Sequence, residues 1–368
     1  MTGTMVSPRP WQGVKVENAI AGPHNNLTLI RLGLALAVVV SHAFSVTTGE
    51  LPDEPLVAST GFTLGEHAVN GFFAISGFLV TMSFDRRGWR DYAMSRALRI
   101  APGLIVAVLT VSLLLGAAMT TLPIGEYLGS PALRRFITAT LTSFKSNTEL
   151  PGVFTNNPLV LPMGTVWTLK YEVMCYAGVF LLGLAGLLHS RAAALVLVTG
   201  LALGSAGLAL LLPDAPKGME TALRLPLIFA FGGALYVWRG RAHFSGLLVL
   251  ALLLVIWLSA GTFLYKTLLF MGSTYGILWL AFAPALTRFA WEPRADLSYG
   301  TYLYGWPIQQ SLHALWPGVA AGALLVPSLA ITLLVAAVSW YLIEKPALGL
   351  KARALGRRTL RTIEPAAP

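Results

Sequence analysis

The chain has 368 residues, of which 55% are hydrophobic and only 11% charged, and its mean hydropathy is +0.69. Soluble domains carry about 25% charged residues. An ordinary water-soluble domain and a disordered chain are both excluded, because so little polar surface cannot cover so much apolar surface. Lipid is the expected solvent, and the formal charge of +10 becomes a matter of membrane topology, with no nucleic-acid partner expected.

The first 25 residues are polar. Apolar runs of spanning length follow near 27–46, 68–84, 97–119, 165–187, 191–212, 222–239, 244–260, 264–287, 299–317 and 321–343. They predict an all-α membrane protein, a polytopic bundle of about ten transmembrane helices. No small-residue cleavage site follows the first run, so it is expected to stay as a helix. The organisation expected is an N-terminal segment 1–25, a transmembrane domain 26–346 and a basic tail 347–368. The longest hydrophilic stretch, about 120–163, is rich in Pro, Asn, Thr and Ser and is expected as an extracytoplasmic loop. No internal repeat of fixed period is present. Cys175 is the one cysteine, which removes a disulfide framework and any multi-cysteine metal site, and no metal is expected.

Basic residues sort by alternate loops. One side holds Arg9 and Lys15, then Arg86, Arg87, Arg90, Arg96 and Arg99, then Arg191, Arg239, Arg241, Arg288 and Arg294. The C-terminal run Lys345, Lys351, Arg353, Arg357, Arg358 and Arg361 falls on the same side. The other side has Arg134, Arg135, Lys145, Lys217 and Lys266. The positive-inside rule then puts both termini in the cytoplasm of a multi-pass protein of the cytoplasmic (inner) membrane.

Ionisable residues within a span are costly and are functional candidates by default. They are Arg31 and His42 in the first span and Lys170 and Glu172 in the fourth, with Arg224 and His313 near helix ends. Arg31 and His42 are eleven residues apart, about three helical turns, so they share a face with an axial separation of about 16 Å. A fixed cation below and a titratable imidazole above is the result; a snorkelling arginine and a satisfied core histidine explain it equally well. Glu172 lies at a depth similar to His42 and is expected to orient it, as carboxylates do for general-base histidines. Lys170 is two residues from Glu172 and faces away from it. Arg96 and Arg99 share a helix face and suit a phosphate clamp, although a plain cluster touching anionic lipid headgroups fits as well. The aromatic stretch Tyr299, Tyr302, Tyr304 and Trp306 is either an interfacial belt or a pocket lining.

Taken in order, these residues resemble the acyltransferase-3 family of integral membrane O-acyltransferases. The resemblance rests on Arg31-x10-His42, on Gly71-Phe-Phe-Ala-Ile-Ser-Gly-Phe78, and on Arg96-x-x-Arg99 with Pro102. It continues with Gly164-Thr-Val-Trp167-Thr-Leu-Lys-Tyr-Glu172, Leu297-Ser-Tyr299-Gly-Thr-Tyr302-Leu-Tyr304 and Trp340-Tyr-Leu-Ile-Glu344-Lys-Pro346. Two departures stand out: Gly305 occupies a place where relatives often carry histidine, and no hydrolase-like domain follows the membrane part.

The resemblance implies an acyl-CoA donor, with acetyl-CoA expected, used as a substrate and not as a resident cofactor. The acceptor implied is a sugar hydroxyl of a polysaccharide, lipid-linked oligosaccharide or glycolipid. Arg31, Arg96 and Arg99 would hold the donor, and His42, supported by Glu172, would act as general base. Ser76, Trp167, Tyr171 and Tyr302 are the candidates for substrate or oxyanion contacts, and direct transfer and an acyl-histidine intermediate both remain open. The rival class is a transporter or flippase of a lipid-linked glycan. Oligomeric state is not legible.

Overall fold

The computed structural model describes residues 13–22, 24–287 and 293–354. Of the topology-bearing residues, Arg9, Arg288, Arg357, Arg358 and Arg361 lie outside this range. Helix α1, Leu27–Thr48, ends where Gly49 turns left-handed (φ 81°) and returns its N–H to Ser45. Helix α2, Leu64–Leu109, starts with a reciprocal capping box between Thr63 and Glu66. It is broken once, at Gly88 (φ 77°, ψ 172°), a conformation open to glycine at little cost. Beyond Leu109 it runs on through a wide turn, Thr110–Leu115, to Met119.

The remaining helices used below are α3 (Pro131–Ser143), α4 (Thr168–Leu184), α5 (Arg191–Leu211) and α6 (Lys217–Val237). They are followed by α7 (Gly246–Leu258), α8 (Tyr265–Phe282), α9 (Ser298–Leu315) and α10 (Ala321–Ser339). Two-residue strands, β1 (Val14–Lys15) and β2 (His243–Phe244), pair antiparallel and tie the start of the described chain to the loop after α6.

Small residues set how closely the helices approach. A Cβ at Gly77 would lie 2.0 Å from the carbonyl oxygen of Phe229, so α2 and α6 meet backbone to backbone. Helix α9 wedges between α1 and α10, and the Gln309 amide donates to the Val39 carbonyl at 2.7 Å. On the outer faces the pattern inverts. In α7, Trp257 is 72% and Leu258 65% exposed, which is costly in water and neutral in hydrocarbon.

Five helices are long and apolar enough to cross a bilayer: Leu27–Thr48, Leu64–Met119, Arg191–Leu211, Lys217–Val237 and Ala321–Leu350. The runs expected at 68–84 and 97–119 are two helical arms that meet in a sharp turn at Gly88 and fold back on each other, so that the rings of Phe84 and Tyr92 lie 5.2 Å apart. Those expected at 165–187, 244–260, 264–287 and 299–317 correspond to α4, α7, α8 and α9, of 17, 13, 18 and 18 residues. The stretch about 120–163 is not an open loop. It forms a short helix, Ile124–Gly129, then α3, then an extended tail laid along α9 by hydrogen bonds from Asn157 to Gln310 and from Gln310 to Leu159.

Candidate active site

Three arginines converge inside the bundle. Arg31 lies on the second turn of α1, and Arg96 and Arg99 lie on the arm of α2 beyond Gly88. Asp296, two residues before α9, accepts from Arg31 at 2.7 Å and from Arg99 at 3.0 Å, both on Oδ2. Its Oδ1 accepts from the Ser298 hydroxyl at 2.5 Å and from the Ser298 N–H at 3.3 Å. Burial works to raise the Asp296 pKa, but the guanidinium charges of Arg99 and Arg31 and the Ser298 bonds outweigh it. They hold the carboxyl well below the usual aspartate range.

Arg96 is placed differently. Its guanidinium stacks 5.5 Å from the centre of the Tyr176 ring, and its buried Nε has no hydrogen-bond partner among the described residues. The i, i+3 spacing does put Arg96 and Arg99 on one face, but Arg99 turns to Asp296 and sits 5.7 Å over Tyr299. The pair is split between a carboxylate and an aromatic ring. Asp296 is the residue that the sequence reading missed. Its one local signal is an acid set just before Leu297-Ser-Tyr299, within a basic loop.

The three arginines line a cavity of about 310 Å³ together with Ser76, Glu172 and Tyr176. Glu172 accepts from the hydroxyl of Tyr176, one turn further along α4. That hydroxyl also lies 3.3 Å from Ser76 Oγ, and the Tyr176 carbonyl accepts from Tyr92. Phe72, Thr168 and Tyr302 also line the cavity, and the rings of Phe72 and Tyr302 meet edge to face at 6.3 Å. The Tyr302 hydroxyl donates to the Thr165 carbonyl. Ser76 and Tyr302 therefore reach the cavity. Trp167 and Tyr171 do not line it: their rings pair with each other at 6.1 Å, and Lys170 covers Tyr171 at 4.8 Å.

His42 occupies the other end. Its ring meets Trp306 edge-on at 4.9 Å, and the Trp306 indole N–H is fixed on the Leu161 carbonyl of the extended tail. Trp306 is one turn beyond Tyr302 on α9, and His42 is not among the residues that line the cavity. Among the described residues, no hydrogen bond or ion pair joins His42 to Glu172. The expected pairing is absent because the Glu172 face of α4 turns toward Ser76 and Tyr176, while α9 fills the space beside His42. Gly305 belongs to that filling. A Cβ there would lie 2.7 Å from Val39 of α1, so the close approach of α9 to α1 leaves no room for a larger residue.

Of the two ionisable residues expected near helix ends, Arg224 is held structurally. Arg224 is 1% exposed, 3.3 Å from Glu66 and stacked between Phe62 and Phe270 at 5.1 and 5.9 Å. His313 is buried near the end of α9.

Known proteins agree with the order of these elements. The acyltransferase domain of the acyltransferase-3 family matches residues 24–344, a range that includes every residue described above at the cavity. A protein named Nodulation protein 10, from Rhizobium leguminosarum bv. viciae, is 31% identical over 368 aligned positions, covering 92% of this chain and 97% of its own length. One named O-acetyl transferase, from Shigella phage Sf6, is 26% identical over 339 positions, covering 86% and 93%. No solved structure matches. A match across most of the sequence, with the cavity residues inside it, establishes that this chain belongs to the acyltransferase-3 family.

Proposed function

We propose that the protein is an O-acyltransferase that moves an acetyl group from acetyl-CoA to a sugar hydroxyl of a polysaccharide, lipid-linked oligosaccharide or glycolipid. The observation that carries this reading is the convergence of Arg31, Arg96 and Arg99 on one intramembrane cavity in a chain of this family. Family membership sets aside the transporter reading. The relative named O-acetyl transferase supports acetyl as the group moved. The distribution of basic residues supports about ten spans, both termini in the cytoplasm and residence in the inner membrane.

In this reading the donor enters from the cytoplasmic side and its phosphates meet the arginines, whose fixed cations and fork geometry suit them. Asp296 keeps Arg31 and Arg99 in place and offsets part of their charge. The pantetheine arm extends toward His42, over the distance of about 16 Å that separates it from Arg31 along α1. His42 takes the proton of the acceptor hydroxyl as its oxygen attacks the thioester carbon. The C–S bond then breaks, and the coenzyme A thiolate leaves and regains a proton. Ser76 and Tyr302 border the cavity, and either would have to release its present partner, the Tyr176 hydroxyl or the Thr165 carbonyl, to donate toward the developing oxyanion. Glu172, through Tyr176, orders the wall of the cavity beneath the arginines.

The test is acetyl-CoA turnover by the purified protein in detergent, with radiolabelled acetyl followed into membrane glycolipid. Incorporation that depends on the protein supports the reading. Absence of both donor binding and incorporation overturns it.

A further inference from the structure

A second ionisable cluster lies apart from the arginine cavity, at the ends of the first arm of α2, of α4 and of α6. Asp85 is its centre. The Tyr236 hydroxyl donates to it at 2.5 Å and Arg239 at 3.3 Å, and His189 Nε2 lies 2.5 Å away. The Arg239 guanidinium also covers the Tyr236 ring at 4.3 Å. These groups border a cavity of about 450 Å³ that has no lining residue in common with the arginine cavity.

With Asp85 satisfied, two charges at this cavity remain over. Arg191, the first residue of α5, faces the Trp238 ring at 5.9 Å. Glu17 stands on the short helix Val16–Ala21. Both are exposed. Among the described residues, neither side chain has a hydrogen bond or an ion pair.

The cavity shares Thr81, Leu188 and Val237 with a groove of about 530 Å³ between α4, α5 and α6. The walls of the groove are apolar, and Leu181, Leu187 and Leu197 are exposed along it, which places it against hydrocarbon. On α6 the groove runs from Pro226, in mid-helix, to Val237 at the charged end, about 16 Å of rise. One leaflet contributes about 15 Å to the hydrocarbon core. A charged cavity at one end of an apolar groove one leaflet deep has the layout of a phospholipid. The leftover charges select its headgroup. An anionic headgroup would answer Arg191 and be repelled by Glu17, whereas a zwitterion has a charge for each.

We propose that the cavity and groove hold one phospholipid with a phosphoethanolamine headgroup, its phosphate at Arg191 beside Arg239, its ammonium at Glu17 and an acyl chain in the groove. The ammonium keeps N–H donors for the Glu17 carboxylate, and a fully methylated choline nitrogen has none. The site is independent of the donor reading, since no residue of it touches the arginine cavity.

The experiment is competition among phosphatidylethanolamine, phosphatidylcholine and phosphatidylglycerol with identical chains. It is read by native mass spectrometry on the full-length protein in detergent, with acetyl-CoA affinity and melting temperature measured beside it. The wild type is expected to hold phosphatidylethanolamine at least about fivefold more tightly than either rival. Glu17→Gln is expected to erase the preference over phosphatidylcholine, and Arg191→Gln to weaken all three lipids at least about threefold. Gly178→Phe fills the groove from a position where a Cβ meets open space and is expected to weaken all three as well. Acetyl-CoA affinity should hold in every variant. Glycerophosphoethanolamine, the same headgroup without chains, is expected not to compete. A wild type that holds phosphatidylethanolamine no more tightly than the other two overturns the proposal. So does a preference that survives both Glu17→Gln and Arg191→Gln, or lipid affinity unchanged in Gly178→Phe. Competition by glycerophosphoethanolamine would make this a site for a soluble zwitterion and overturn the lipid assignment.

Discussion

The two ends of the helix face shared by Arg31 and His42 have opposite surroundings. Around Arg31, charge is gathered: three guanidiniums, the Glu172 carboxylate and the rings of Tyr176, Tyr299 and Tyr302 border a cavity, and Asp296 pairs with Arg31 and Arg99. Around His42 there is an indole edge and the backbone of α9, with no ionised partner bonded to the imidazole among the described residues. The difference shows what each end can do. The first end can hold a polyanion, because an arginine cluster with one shared carboxylate keeps net positive charge. The second can hold a neutral imidazole, because a base shielded from carboxylates keeps its acceptor lone pair for a substrate.

The sharpest way to break this comparison is His42→Ala. Transfer should fall about 10²- to 10⁴-fold, the usual worth of a positioned general base, while membrane insertion and donor affinity persist. Normal acyl transfer by the variant would remove His42 from the chemistry. Glu172→Gln should lower the rate next most, with little change in donor affinity, because its carboxylate orders Tyr176 and does not itself meet phosphate. A donor affinity that falls as far as the rate would instead place Glu172 in the binding of the donor.

Arg96→Ala and Arg99→Ala should each weaken acetyl-CoA binding by about 1.5–3 kcal/mol, the range for hydrogen bonds to charged groups, and leave acceptor apparent KM less affected. Unchanged donor affinity in both variants would return the arginines to a headgroup-contact role. Asp296→Asn should act on stability more than on chemistry. Its pair with the arginines is mostly but not fully buried, so the expected loss is about 2 kcal/mol, below that for a fully buried pair.

The same carboxylate fixes a pH dependence. The pKa of Asp296 lies below the ordinary value of 3.8 in the folded protein. Its stabilisation is therefore complete above that ordinary value and is lost as pH falls toward the lower folded value. The wild-type melting temperature in detergent should drop on acidification below about pH 4, and Asp296→Asn should lack that component. Identical acid profiles would show that Asp296 is not the group being protonated. The smallest effect expected is for Tyr176→Phe, which removes the bond to Glu172 and the contact with Ser76: about 1.5 kcal/mol, the low end for a bond to a charged group, read as a modest rate loss.

The sequence made the membrane class plain, along with the shared face of Arg31 and His42 and the cationic cluster at Arg96 and Arg99, because composition and helical spacing are local quantities. It did not reveal Asp296, whose bonds to Arg31 and Arg99 close over 265 and 197 residues. Nor did it reveal that Arg96 and Arg99 part company. An i, i+3 spacing fixes a common face but not which partner each side chain turns to. The Glu172 partner was within reach, since Tyr176 is four residues on. The reading matched depths across helices and looked to His42, and the packing of α9 decides otherwise. The break between the two arms at Gly88 was legible, since the basic cluster Arg86, Arg87 and Arg90 interrupts the apolar runs there, although these arginines are helical and not in a loop.

The most direct measurement of the account is acetyl-CoA affinity and turnover in one preparation for the wild type, His42→Ala and the Arg96→Ala/Arg99→Ala double variant. The account predicts two separate defects: the histidine variant binds the donor and does not turn it over, and the arginine variant fails to bind it. Equal loss of binding in both, or turnover that survives in the histidine variant, would contradict the division of the molecule into a donor-holding end and a base-bearing end.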